Sequence, residues 1–240
     1  MPMMRLSGAA VALGEYAAPE GRGCRRLLAA LRETGTPLVR RSYDGGEEIY
    51  RGDDAGRTLY VLTGGVAKLF VGYAGYVGSK DATFLLLGPW ECFGFSAFAD
   101  GRKSRFSAGA VTDCEAIKVP GALVERAIRR RPEVALEMAT LLETRLVEYE
   151  ELLGCLLPRR TEVRLAKLLP ILGRKFGETT DVGVAIGLRL TRGDLATMVA
   201  STRESVTAAV IGLRKKGILE MEGGRIVLLD PERLAEIGRQ

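Results

Sequence analysis

The sequence predicts an α+β protein in which a β-sandwich or barrel, a long helix and a small helix-turn-helix domain follow one another along the chain. Three observations predict it. Short β-type runs broken by glycine turns fill residues 37–119. A heptad-spaced helical stretch follows Pro132, and residues 190–219 hold two short helical patterns joined by a tight polar turn.

The elements come in order. Residues 1–36 read as a loose arm ending in a short helix at 25–33. Residues 37–120 form a β-domain, with strand-like runs at 59–62, 66–71, 82–87 and 114–119. Turn signals punctuate them at Asp44-Gly45-Gly46, Gly52-Asp53-Asp54, Gly64-Gly65 and Asp100-Gly101. Residues 121–157 are helical, with Pro132 at a natural helix start, and Pro158 ends the pattern. Residues 158–240 make a smaller mixed domain.

At 240 residues the length suits one large or two modest domains, each able to bury a core. Hydrophobic residues at 47% against 27% charged give the balance of a soluble globular protein. Cys24, Cys92, Cys114 and Cys155 lie far apart with no C-x-x-C pair, so neither a zinc site nor a disulfide scaffold is expected. Residues 6–13 are too short and too rich in Gly and Ser for a signal peptide, and no apolar run approaches the ~20 residues of a membrane span. The expected compartment is the cytoplasm. With no histidine, no G-x-S-x-G and no GxxxxGK[ST], no constellation supports an enzyme, and no metal or prosthetic group is expected.

Charge is unevenly placed. Residues 1–157 carry 20 basic against 20 acidic side chains, whereas residues 158–240 carry 15 against 10. All of the net +5 therefore lies in the last third, where a polyanion-binding domain would put it.

After Pro132, Ala135, Met138, Leu142, Arg145, Tyr149, Leu152 and Leu156 recur at 3–4 spacing. This is either a coiled-coil seam between two subunits or a helix packed on its own domain, and periodicity does not separate the two. Arg145 is the exception in the stripe. A guanidinium there is costly unless it meets an anion, whether in a register-setting pair or in a ligand.

Residues 190–219, LTRGDLATMVASTRESVTAAVIGLRKKGIL, carry the sharpest pattern. Thr191 and Asp194 resemble a capping box, and Leu195, Ala196 and Val199 form the inner face of a short helix. Ala200-Ser201-Thr202 turns, Thr202 caps the next helix, and Val206, Val210 and Leu213 supply its buried stripe. Two helices joined this way form a helix-turn-helix whose second helix enters the DNA major groove. Arg203, Glu204, Thr207 and Ala208 face outward at its start, where Arg reads guanine and Glu accepts from the cytosine amino group. Ser201, Thr202, Ser205, Lys215 and Lys216 suit phosphates, as does Thr191 at the first helix. The stretches 218–221 and 225–229 around Glu222-Gly223-Gly224 read as a β-hairpin wing, which disfavours the plainer alternative of a simple helical hairpin.

Residues 191–213, with GRIVLLDPERL at 224–234, resemble the DNA-binding domain of the CRP/FNR family of bacterial regulators. Upstream, Asp44-Gly45-Gly46-Glu47, Arg51-Gly52-Asp53, the stretch 59–65 and Phe93-Gly94 match that family's glycine and strand pattern. The resemblance covers residues 37–235 and implies a double-stranded β-helix (jelly roll), a dimerisation helix and a winged helix-turn-helix. It also implies a homodimer on palindromic promoter DNA, with RNA polymerase as a further partner.

The same resemblance bears on the effector. Cyclic-AMP-binding members carry an acid after Phe-Gly and an Arg followed by two small residues, where this chain has Phe95 and Arg105-Phe106-Ser107. Iron–sulfur members need a cysteine cluster, and His-ligated haem members need a histidine; the chain has neither. FGFSAFADGRKSRF at 93–106 and RLAKLLPILGRKFG at 164–177 resemble the nitrogen-regulator branch, which senses 2-oxoglutarate. That resemblance implies that Arg105 and Arg145 grip the effector's carboxylates, aided by Phe93 and by amides of Gly94, Phe95 and Ser96, with Glu150 contributed by the partner subunit. Three readings stand: a dicarboxylate such as 2-oxoglutarate, cyclic AMP, or no effector. Ala208 stands where many relatives have a third base-reading Arg, and Ala200 replaces a frequent turn glycine.

Overall fold

The computed structural model describes residues 21–35, 37–52, 57–72, 81–95 and 106–240. The chain forms two compact units, Pro19–Val147 and one holding Glu148–Gln240.

The first unit opens with α1 (Arg22–Glu33), whose Cys24, Leu27, Leu28 and Leu31 recur at helical spacing and are all buried. The helix starts three residues before the expected 25–33, because Cys24 joins the buried stripe and draws the first turn into the fold. Eight strands follow: β1 (Val39–Tyr43), β2 (Glu48–Tyr50), β3 (Thr58–Gly64), β4 (Ala67–Gly72), β5 (Asp81–Leu87), β6 (Cys92–Phe93), β7 (Ser107–Ala110) and β8 (Cys114–Pro120). Among the described residues they pair antiparallel into two sheets, ordered β1-β8-β3-β6 and β2-β7-β4-β5. The glycine-punctuated strands thus make the expected sandwich, in the jelly-roll layering that the family resemblance implies. Gly65, at φ 73, shows why the punctuation is glycine: a Cβ there would lie 2.1 Å from the Asp113 carbonyl oxygen.

Helix α2 (Gly121–Arg130) and the start of α3 (Glu133–Leu156) close the unit. One apolar core joins α1 to Leu59 and Val61 of β3, Cys92 of β6, Ile117 and Val119 of β8, and Val134 and Met138 of α3.

The second unit contains α4 (Thr161–Phe176), β9 (Gly177–Thr180), β10 (Gly183–Ile186), α5 (Arg192–Met198), α6 (Arg203–Lys215), β11 (Leu219–Glu222), β12 (Arg225–Leu228) and α7 (Pro231–Gly238). The expected wing is the hairpin β11–β12, turning on Gly223 and Gly224. It belongs to a four-stranded sheet, β11-β12-β10-β9. The hairpin β9–β10 was not expected, since only Val184 and Ile186 of its eight strand residues are buried and the alternation is too short to register. Helix α7 is a further addition, capped by Asp230, whose carboxylate accepts from the Arg233 amide at 2.9 Å, with Pro231 at its first position.

Along α3 the expected seam is corrected. Met138, Arg145 and Leu152 are buried within the chain. The residues just after them, Ala139, Leu146 and Leu153, face outward, the two leucines at 57% and 55% exposure. The outward stripe is therefore Ala135, Ala139, Leu142, Leu146 and Leu153, with Tyr149 and Leu156 half-buried in line with it, which keeps a heptad repeat but shifts every second contact by one residue. The packing of one α3 face within the chain is the second of the two sequence alternatives, and the other face stays outward. Among the described residues, no helix is long and apolar enough to cross a membrane.

Candidate nucleic-acid interface and effector site

The helix-turn-helix is built as its residues dictate. Thr191 Oγ1 accepts from the Asp194 amide at 3.1 Å, and Asp194 Oδ2 accepts from the Thr191 amide at 2.8 Å, so an Asp completes the capping box of α5. Leu195 and Val199 are fully buried against Val206, Val210 and Leu213 of α6, the face the spacing predicted. Thr202 caps α6 by accepting from the Ser205 amide at 3.2 Å.

These caps leave the start of α6 outward. Thr202, Arg203, Glu204 and Ala208 are exposed, while Ser205 and Thr207 are half-buried beside them. Thr207 Oγ1 donates to the Arg203 carbonyl at 2.7 Å, which leaves its oxygen lone pairs outward. Lys215 and Lys216 are exposed at the other end of α6, although Lys216 Nζ already meets Glu162 Oε1 at 2.5 Å. Ser201 is half-buried and shares a 2.8 Å hydrogen bond with Thr161 Oγ1. The residues assigned to bases thus lie within the first two turns of α6, three exposed and Thr207 half-buried, while several assigned to phosphates hold the domain together as well.

Two residues of this assembly carry no signal in the local sequence. Arg164, on α4, donates from Nε to the Pro158 carbonyl at 2.6 Å and from Nη1 to the carbonyls of Val199 and Ala200, both at 2.9 Å. It clamps the turn between the two helices, where Ala200 holds φ 46, a left-handed conformation that glycine adopts more easily. No local pattern announces a contact across 35 residues. Arg192 is the second. It is half-buried, and burial first, then the charge of Arg214, lowers its pKa.

In the first unit, Phe93 is buried and stacks on Tyr60, centroids 5.1 Å apart, with Tyr50 completing an aromatic cluster. Its ring belongs to the core, so only its backbone can face a ligand. Burial raises the Tyr60 phenol to about 12. Gly94 has φ 82, and a Cβ there would meet the Thr58 carbonyl oxygen at 2.5 Å. Phe95 is half-buried against the same core as α1. Ser96 and Arg105 lie outside the described residues.

Arg145 is 7% exposed and reaches the strand that precedes this segment. Its Nη2 lies 3.1 Å from Glu91 Oε1 and donates to the Cys92 carbonyl at 3.0 Å. Glu91 Oε2 accepts in turn from the Gly88 amide at 2.5 Å. The structure therefore brings Arg145 to Glu91 and the Cys92 carbonyl, just before Phe93 and Gly94 in the chain, as the spacing alone could not show. Glu91, its anionic partner, was not foreseen. Glu150 is exposed on α3, in the second unit.

Comparison with known proteins finds two domain models along the chain. Residues 40–131 match the cyclic nucleotide-binding domain, and residues 163–237 match the Crp-like helix-turn-helix domain. A global nitrogen regulator from Synechocystis is 30% identical over 218 residues, covering 88% of this chain and 95% of the relative. A cyclic AMP receptor protein from Thermus thermophilus is 30% identical, covering 82% and 87%. The solved structure of a CRP/FNR-family transcriptional regulator, also from Thermus thermophilus, superimposes with a TM-score of 0.70 at 25% identity, covering 84% of this chain and 99% of that one. With a β-rich effector-type domain, a long helix and a winged helix-turn-helix in order along its length, the chain belongs to the CRP/FNR family of DNA-binding transcription regulators.

Proposed function

We propose that this regulator binds a small dicarboxylate such as 2-oxoglutarate in its β-domain and, as a homodimer, reads palindromic promoter DNA with α6. The observation that carries the effector reading is Arg145, a guanidinium enclosed at 7% exposure beside the Cys92–Phe93–Gly94 segment and already holding a carboxylate. A planar fork in an enclosed site matches a carboxylate bidentately. The amides of Gly94, Phe95 and Ser96, with Arg105, would hold the rest of the ligand, and Glu150 of the partner subunit would close over it. Similarity to a global nitrogen regulator along most of both chains supports the same reading.

The outward stripe of Ala139, Leu142, Leu146 and Leu153 supports the dimer, since leucines at heptad spacing gain most by covering one another. Ligand binding would shift the population of helix-pair arrangements and so set the recognition helices about one DNA turn apart, ~34 Å. In this reading RNA polymerase is the further partner and the cytoplasm the compartment.

A second reading, in which DNA binding needs no effector, is favoured by one observation: Glu91 already neutralises Arg145 within the chain. Calorimetry with 2-oxoglutarate and with cyclic AMP, on wild type and on Arg145→Ala, tests both. The proposal expects binding of 2-oxoglutarate that Arg145→Ala abolishes. Binding of cyclic AMP alone would move the effector to the nucleotide class, and binding of neither would leave the effector-free reading.

A further inference from the structure

Cys24 on α1 and Cys92 on β6 are 68 positions apart in sequence, yet their sulfurs lie 2.7 Å apart. Both side chains are 1% exposed, and all four cysteines of the chain are free thiols. A disulfide closes its sulfurs to about 2.05 Å, so the pair stands within about 0.7 Å of bonding distance. Cys155, by contrast, donates its thiol hydrogen to the Glu151 carbonyl at 3.3 Å in its own helix.

We propose that Cys24 and Cys92 form a reversible dithiol–disulfide site, oxidised by a peroxide and restored by a thiol reductant. The first sulfur attacks the peroxide O–O bond, loses two electrons and becomes a sulfenic acid as one water leaves. The second thiol attacks that sulfur, forms the S–S bond and expels the hydroxyl as a second water. Two thiols and one hydrogen peroxide thus yield one disulfide and two waters. A dithiol reductant reverses the step by exchange, taking the oxidised equivalents itself.

The surroundings say what the bond would do. Cys92 presents its carbonyl to Arg145 and follows Glu91, the carboxylate on the same guanidinium. The preceding Trp90, at φ 66, lies under the Arg25 guanidinium, 4.0 Å from its ring centroid, and so also touches α1. The disulfide would therefore tether α1 covalently to the segment that positions Arg145. Burial, and then the hydrogen bond and charge of Cys24, raise the Cys92 thiol well above its ordinary value, with Arg145 opposing more weakly. The thiolate is the nucleophile, so oxidation in the closed protein is slow and proceeds through local opening of α1.

The test is peptide mapping by mass spectrometry of the full-length wild type, before and after hydrogen peroxide, with free thiols alkylated on unfolding. The proposal expects a cross-linked species joining the Cys24 and Cys92 peptides, two hydrogens lighter than their sum and lost after dithiothreitol. Cys24→Ala and Cys92→Ala should each abolish it. Recovery of Cys24 and Cys92 as alkylated thiols, when Cys114 or Cys155 has been oxidised, would overturn the proposal. So would oxygen addition at Cys92 without a cross-link.

Discussion

Arg145 and Glu91, 54 residues apart in sequence, are joined by a 3.1 Å ion pair from Nη2 to Oε1, and the same Nη2 holds the Cys92 carbonyl. The pair links α3 to the strand that leads into the candidate effector segment. Breaking a fully buried pair typically costs ~3–5 kcal/mol. Glu91 keeps 19% side-chain exposure, so Arg145→Ala is expected to cost less, about 2 kcal/mol. Urea unfolding should show a lower midpoint with an unchanged slope. Arg145→Lys keeps the charge but not the planar guanidinium, and should recover only part of the loss.

The turn of the helix-turn-helix is expected to gain from glycine. Ala200 sits at φ 46, a conformation that costs an L-residue about 1–2 kcal/mol. Glycine there lowers that cost but adds ~0.4–1 kcal/mol of unfolded-chain entropy. The first effect wins, so Ala200→Gly should stabilise the protein by about 0.5–1 kcal/mol. Thermal unfolding of the two proteins checks it.

Arg164 is expected to act on DNA binding by positioning the turn between α5 and α6. Its three contacts to the carbonyls of Pro158, Val199 and Ala200 hold the turn. Arg164→Ala should destabilise by about 2 kcal/mol, given the ~1.5–3 kcal/mol of a charge-assisted hydrogen bond and the partial exposure of this one. It should also weaken operator binding without changing the slope of log affinity against log salt, because that slope counts phosphate contacts. A reduced slope would place the guanidinium on a phosphate instead.

Alkaline stability should fall for a specific reason. The phenol of Tyr60 is raised from 10.0 to about 12 by burial and, secondarily, by Tyr43. Above pH 10 the unfolded chain releases this proton while the folded chain keeps it, so stability present below pH 10 drains away up to about pH 12. Cys92, also raised, acts in the same direction. Denaturant midpoints measured from pH 9 upward should decline, and Tyr60→Phe should decline less steeply.

Much of this was legible in the sequence, for identifiable reasons. The capping box of Thr191 and Asp194 and the stripe of Val206, Val210 and Leu213 are local patterns, and they appear where the spacing placed them. The face of α3 was only half legible. Met138 and Ala139, Arg145 and Leu146, and Leu152 and Leu153 are adjacent pairs, and α3 is apolar on both faces, so a heptad count fits either set. Burial within the chain decides between them. The Arg145–Glu91 pair, the Arg164 clamp and the Cys24–Cys92 approach all join distant segments, which no periodicity reports.

The most direct test of the account is selection of duplexes from a randomised DNA library by wild type and by Arg203→Ala. The account predicts that wild type enriches a two-fold symmetric site with half-sites about 10 base pairs apart. Arg203→Ala should lose preference at one base pair of each half-site, about 1–3 kcal/mol of discrimination. Enrichment of no symmetric sequence by wild type, or of the same sequence with equal strength by Arg203→Ala, would contradict it.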